Sequence, residues 1–227
     1  MLKKFFMAAA MMFTLAASAQ QQPAATADEK GGNETTNLIT TAGTLAKYGY
    51  QTKTAMPLIQ AAEILNRLGV HESTEAAEAQ TQSDSSVAAA EAQEKAETVS
   101  LVPSKLLADA KKFADGNKNL LALIKAAEET RGAVGGPVNR YRLIPGNSTD
   151  TWTINFRGGQ SAYVCVIGDG DTDLDLYVYD ENWNLIDSDT DSTDNCVCTF
   201  NPRWTGKFYV KVKNLGRISN RYHIVTN

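Results

Sequence analysis

The apolar residues of this chain follow two different periods. Between residues 37 and 131 they recur every three or four positions, as on helices packed along one side. Ala55, Leu58, Ile59 and Ala62 make one stripe, and Leu120, Leu123, Ile124 and Ala127 make a second. Both stripes belong to an internal repeat, since AKYGYQTKTAMPLIQAAE (46–63) aligns without gaps with KKFADGNKNLLALIKAAE (111–128). Thr54 and Asn119 share a repeat position suited to N-caps, Pro57 falls in a first turn, and Gly69 and Gly132 suit helix stops. Each unit reads as helix, turn, helix, with a stripe it cannot bury alone. Two hairpins, 37–70 and 101–132, are therefore expected to pack on each other as a small bundle. Between them, residues 71–100 are Ala, Glu and Gln with almost no core-forming side chains, and read as a linker.

Beyond a Gly-Gly-Pro hinge at 133–137 the period becomes two. VNRYRLI, DTWTINF, AYVCVI, DLDLYVY, CVCTF, KFYVKV and RYHIV read as short strands, separated by Gly, Pro, Asn and Asp. That spacing predicts an antiparallel β-sandwich over 138–227. The expected fold class is α+β in two domains, a helical-hairpin repeat bundle followed by the sandwich.

The ends and the composition narrow the function. Residues 1–20 carry Lys3 and Lys4, then a short apolar run, then Ala17-Ser18-Ala19, which reads as a secretory signal peptide. Residues 21–36 are polar at first and are expected to be disordered. No later run is long enough for a membrane span, so the mature protein is expected to be exported, periplasmic or extracellular. A net charge of -4 argues against nucleic acid as a partner. Cys165, Cys196 and Cys198 are an odd number for an exported chain. Either of the last two can meet Cys165 in a disulfide across a sheet, or all three are small buried residues.

The acidic residues pose the sharpest chemical question. Nine aspartates fall between Asp169 and Asp194, in GDGDTDLDLYVYD and DSDTDSTDN. Alternation in DLDLYVY buries Leu174, Leu176 and Val178 and turns Asp173, Asp175, Tyr177 and Tyr179 outward. Asp169, Asp171, Asp187, Asp189, Asp191 and Asp194 flank the strand in loops, so these eight aspartates are candidate calcium ligands. The stretch is not an EF-hand, because Leu174 stands where the turn needs glycine. The competing reading is ion pairing, with Lys207, Lys211 and Lys213 facing outward on a neighbouring strand. A catalytic pair is disfavoured, since these aspartates sit in polar loops or on an outward face and no nucleophile or metal-hydrolase motif occurs.

DTDLDLYVYDENWNLIDSDTDSTDN, FNP, TGKFYVKVKN and the closing NRYHIVTN resemble the bacterial pre-peptidase C-terminal domain family, with Pro202, Gly206, Phe208 and Val210 matching its hairpin. The resemblance covers 138–227 and implies a jelly-roll-like β-sandwich appended to secreted enzymes, often peptidases, serving processing, targeting or substrate binding. Related collagen-binding domains carry calcium. On that resemblance Asp173 and Asp175 match the acidic strand, Asp189, Asp191 and Asp194 the polar turn, and Tyr177 and Tyr179 a contact surface. No peptidase is expected in the remaining residues. The expected function is a non-catalytic binding or adaptor role toward a protein or an extracellular polymer. Partner docking by the helical repeat and an undetected secreted hydrolase are the alternatives.

Overall fold

The computed structural model describes residues 24–27, 33–73, 79–83, 99–129 and 136–227. In chain order the elements are β1 (Ala25–Ala27), α1 (Glu34–Thr52), α2 (Ala55–Leu68), β2 (His71–Glu72), β3 (Ala79–Ser83), α3 (Pro103–Phe113) and α4 (Lys118–Glu129). Then come β4 (Val138–Ile144), β5 (Ser148–Phe156), β6 (Ala162–Ile167), β7 (Leu174–Tyr179), β8 (Leu185–Asp189), β9 (Asn195–Pro202), β10 (Gly206–Asn214) and β11 (Asn220–Thr226). The strands form a six-stranded sheet, β1-β9-β6-β11-β4-β2, and a five-stranded sheet, β3-β5-β10-β7-β8. Every pairing is antiparallel except the short one between β2 and β4. The fold is α+β, with a β-sandwich in the C-terminal half.

Alternation builds the space between the sheets. Trp152, Ile154 and Phe156 of β5, Leu174, Leu176 and Val178 of β7, and Phe208, Val210 and Val212 of β10 point inward from the five-stranded sheet. Val164, Val166, Cys196, Cys198, Phe200, Tyr222 and Ile224 answer from the other. The run AYVCVI is buried at every position because β6 has apolar neighbours on both faces. Its outward residues Tyr163, Cys165 and Ile167, with Val225 of β11, share a second core with the helices. At Gly43 a Cβ would lie 2.7 Å from Ile167 Cγ2, so α1 rests directly on β6 there. Helices, six-stranded sheet and five-stranded sheet thus form three layers, and the helices cover one face of the sandwich.

The helix ends follow from local chemistry. Asn33 caps α1 by accepting from the Thr36 N–H at 3.0 Å, and Gly69 ends α2 at φ 72. Thr54 sits at the N-cap of α2, but its hydroxyl meets Thr52 Oγ1 instead of a backbone N–H. For α4 the cap is Asn117, accepting from Asn119 and Leu120, so Asn119 lies inside the helix rather than at its start. The second stripe is only half used: Ile124 and Ala127 are buried, while Leu123 is 41% exposed.

Several segments differ from the sequence reading. Ala25–Ala27 form a strand on β9 where disorder was expected, and Ala24 is fully buried. Residues of the expected linker supply β2 and β3, which pair with β4 and β5. Backbone pairing explains both, because an edge strand needs hydrogen-bonding partners and not an apolar side-chain pattern. At the expected hinge, residues 133–135 lie outside the described residues, but Gly136 packs on the Gly69 carbonyl and Pro137 O accepts from His71 N at 3.1 Å. The signal peptide and Gly132 also lie outside the described residues. β8 is a strand that the alternation did not reveal.

Candidate functional site

The aspartates of the acidic segment are mostly committed to backbone N–H groups. Asp187 accepts from Thr199 N at 3.0 Å and Asp189 from Val197 N at 2.8 Å, so two carboxylates on β8 close the open edge of β9 in the opposite sheet. Asp169 accepts from Arg221 N at 3.0 Å and Asp191 from Thr193 N at 2.8 Å. Asp194 accepts from the Gly170 N–H, and its other oxygen binds Lys47 Nζ of α1 at 2.8 Å. Lys47 also reaches Asn195 Oδ1 at 3.0 Å. The cation beside the acidic loop therefore comes from the helical layer.

Asp173 and Asp175 are less open to solvent than alternation suggested. Asp175 stands opposite Lys213 on β10, so the acidic and basic strands are neighbours as the ion-pair reading required. It is only 6% exposed, however, and accepts from Tyr177 Oη at 2.9 Å. Burial and then this bond push the Tyr177 hydroxyl up to about 12. Asp173 ends just before β7, and its Oδ1 is buried without a hydrogen-bond partner. Burial raises its carboxyl pKa, and Asp175, Asp191 and Asp194 raise it further. Asp171 is exposed in the same loop. Among the described residues no three Asp, Glu, His or Cys side chains converge as a metal site.

The outer face of the five-stranded sheet carries a different surface. Tyr177 and Tyr179 point outward as expected and stack at 6.4 Å. Tyr179 meets Trp183 at 5.9 Å, and Trp183 lies flat on Tyr209 at 4.2 Å and 4° between planes. Lys211 Nζ sits 4.9 Å from the Trp183 ring centre and 5.4 Å from that of Tyr179. Trp183 is 51% exposed. It adopts φ 64, a left-handed conformation rare outside glycine. Asp180 holds that turn: it accepts from Asn182 N, Asn184 N and Asn184 Nδ2 at 2.8 to 2.9 Å, and from Ala24 N of the β1 segment at 3.1 Å. Burial opposes its charge, but these donors outweigh burial and keep its pKa below the ordinary value. Sequence reading named Tyr177 and Tyr179 but missed Trp183, Tyr209 and Asp180. The signal lay in the D-E-N-W-N turn, whose Asp, Asn and Trp were read only as connection.

That surface lies largely within a recognisable segment. Residues 148–214 match the model of the bacterial pre-peptidase C-terminal domain family. The pre-peptidase match spans β5 to β10, so it contains the acidic segment and every ring of the aromatic face. Among solved structures, the pre-peptidase C-terminal domain of collagenase from Bacillus anthracis is similar at 16% identity and a TM-score of 0.33, over 39% of this chain and 87% of that one. No curated protein matches. The helical layer lies outside the matched residues.

The sandwich does not carry the disulfide that the cysteine spacing allowed. Cys165, Cys196 and Cys198 are free and buried. Cys165 pairs with Val197 in the ladder, so it points to the helices, whereas Cys196 and Cys198 point between the sheets. Adjacent positions on a strand face opposite sides, which no rotamer can reverse. Burial raises all three thiol pKa values, so they are poor nucleophiles.

Two buried polar clusters carry structural roles. Asp150, fully buried, accepts from Tyr222 Oη at 2.8 Å and Thr81 Oγ1 at 2.5 Å and pairs with Arg142 Nε at 3.1 Å. Trp152 Nε1 donates to Tyr222 Oη at 2.7 Å. This cluster anchors β3 through Thr81. His223 lies 3.0 Å from both Val99 O and Asn139 Oδ1, joining the chain before α3 to the sandwich. Burial pushes its pKa down to about 4, so the ring is neutral at pH 7. Among the described residues, no helix is long and apolar enough to cross a membrane.

Proposed function

We propose that this is an exported, non-catalytic binding protein that engages its ligand through the outer face of the five-stranded sheet. The observation that carries the reading is the array of exposed Trp183 with half-buried Tyr209, Tyr179 and Tyr177 and Lys211 among them. Large rigid rings fixed on a strand framework are the usual anchors of a contact surface. Among the described residues the helices cover the opposite sheet and not this face. The pre-peptidase match supports a binding or targeting module. The test is retention of the purified full chain on candidate extracellular polymers and proteins, comparing wild type with Trp183→Ala. Retention that Trp183→Ala does not weaken refutes the assignment of the surface.

A second reading concerns calcium. Asp173 has a buried oxygen without a partner, with Asp175, Asp191 and Asp194 close enough to raise its pKa. A cation there, completed by loop carbonyls or water, would relieve that repulsion. Asp169, Asp187, Asp189 and Asp194 fit the role less well because backbone N–H groups already hold them. Saturating calcium on the metal-stripped chain is expected to add about 2.7 kcal/mol, a melting shift on the order of 5–10 °C. Asp173→Asn should abolish that shift, and an unchanged wild-type melting temperature removes calcium from the account.

A further inference from the structure

We infer that the ligand of the outer face is an anionic polysaccharide, with a sugar ring stacked on Trp183 and its carboxylate or sulfate met by the lysines of β10. The inference rests on the contact-surface reading given above. It is drawn from how three kinds of side chain are laid out on one face.

The first kind is the ring platform. Trp183 gives one side to Tyr209 and is half exposed on the remainder, and it is fixed by the Asp180 turn. An aromatic face carries negative quadrupole charge, which suits the polarised C–H groups on the flat side of a pyranose. The second kind is neutral and hydrogen-bonding. Ladder registry puts Gln80, Thr151, Lys211 and Tyr177 in one row, and Thr153, Tyr209 and Tyr179 in the next. Hydroxyls and amides beside an aromatic plate match the rim of a sugar ring, which alternates donors and acceptors. The third kind is cationic. Phe208, Val210 and Val212 face the core, so Lys207, Lys211 and Lys213 face outward on the same strand as Tyr209. Lys213 stands opposite Asp175, so the charge offered to a ligand is that of Lys207 and Lys211, roughly 13 Å apart along the strand, a spacing complementary to a linear polyanion.

The layout disfavours a peptide that binds by adding a strand. A peptide adding to a sheet needs an open strand edge, whereas the rings lie on β7, on β10 and on the turn after β7. Tyr209 and Lys211 sit on a strand paired on both sides, to β5 and to β7.

Affinity of the full chain for three probes tests the inference: a galacturonate hexamer, cellohexaose and a proline-rich decapeptide, by calorimetric titration at low and moderate salt. The galacturonate hexamer is expected to bind most tightly and to weaken with salt. Trp183→Ala should cost at least about thirtyfold, the loss typical of a central aromatic anchor. Lys211→Gln should cost about fivefold and reduce the salt dependence. Both positions are surface-exposed or half-exposed, and an unchanged melting temperature checks that the variants fold. Equal binding of cellohexaose and galacturonate, unaffected by Lys211→Gln, overturns the anionic assignment. Binding of the peptide alone, lost in Trp183→Ala, overturns the polysaccharide but leaves the contact surface standing. Binding of none of the three overturns the inference, while the broader screen with Trp183→Ala decides the surface separately.

Discussion

Replacing Lys47 by Met removes the cation that the helical layer lends to the acidic loop. The methionine keeps much of the apolar stem but cannot bind Asp194 Oδ1 or Asn195 Oδ1. The side chains of the pair are 13% and 8% exposed, so solvent reaches them only in part. Breaking a fully buried pair costs about 3–5 kcal/mol and an exposed one under about 1. A cost of about 2–3 kcal/mol lies between those limits. Asp194 would keep its Gly170 N–H donor but face Asp173 and its neighbours without compensation. Urea unfolding of the full chain at pH 7 should move the midpoint down by roughly 1 M at unchanged slope. Asp194→Asn retains an acceptor for Gly170 and leaves Lys47 without its carboxylate. The double variant should be less destabilised than the two single effects added together. A midpoint that moves by less than about 0.3 M, or strict additivity, would show that solvent rather than Lys47 neutralises the loop.

Three further perturbations probe the layers. Gly43→Ala should destabilise by about 1–3 kcal/mol, because its methyl group would meet Ile167 and force α1 off β6, despite alanine's better helix propensity; thermal denaturation measures it. Tyr222→Phe deprives Trp152 Nε1 of its acceptor and Asp150 of a donor in a fully buried setting, for an expected loss of about 2–4 kcal/mol in urea. For His223 the folded pKa of about 4 lies below the unfolded value near 6.5, so the unfolded chain binds the extra proton between them. Its contribution is fully present above pH 6.5 and is lost as pH falls toward 4, by up to about 3 kcal/mol. His223→Gln should flatten the stability profile across that window.

Alternation carried most of the sandwich. DLDLYVY and KFYVKV were legible as strands with one buried face, and the structure pairs them side by side with Asp175 opposite Lys213. AYVCVI was legible as a strand, but its lack of polar positions also recorded a second covered face, which is where the helices sit. β1, β2 and β3 left no side-chain pattern because backbone bonds and single contacts such as Thr81 to Asp150 hold them. The aspartates were weighed as metal ligands or as partners of lysine. Asp187 and Asp189 accept from backbone N–H groups of β9, and that donor is invisible in a sequence because every residue but proline carries it. Lys47 was legible only as a repeat position, since nothing local ties it to a residue on β9 so far along the chain.

The opposite orientations of the cysteines give the molecule two internal clocks. Cys165 is shielded by the helices, whereas Cys196 and Cys198 are shielded by the facing sheet. A thiol reagent applied under native conditions reaches the first only when the helical layer lifts, and the other two only when the sandwich itself opens. If all three label at one rate, the layers come apart as a single cooperative unit. If Cys165 labels first, the helices are a cover that leaves the aromatic face intact when it detaches.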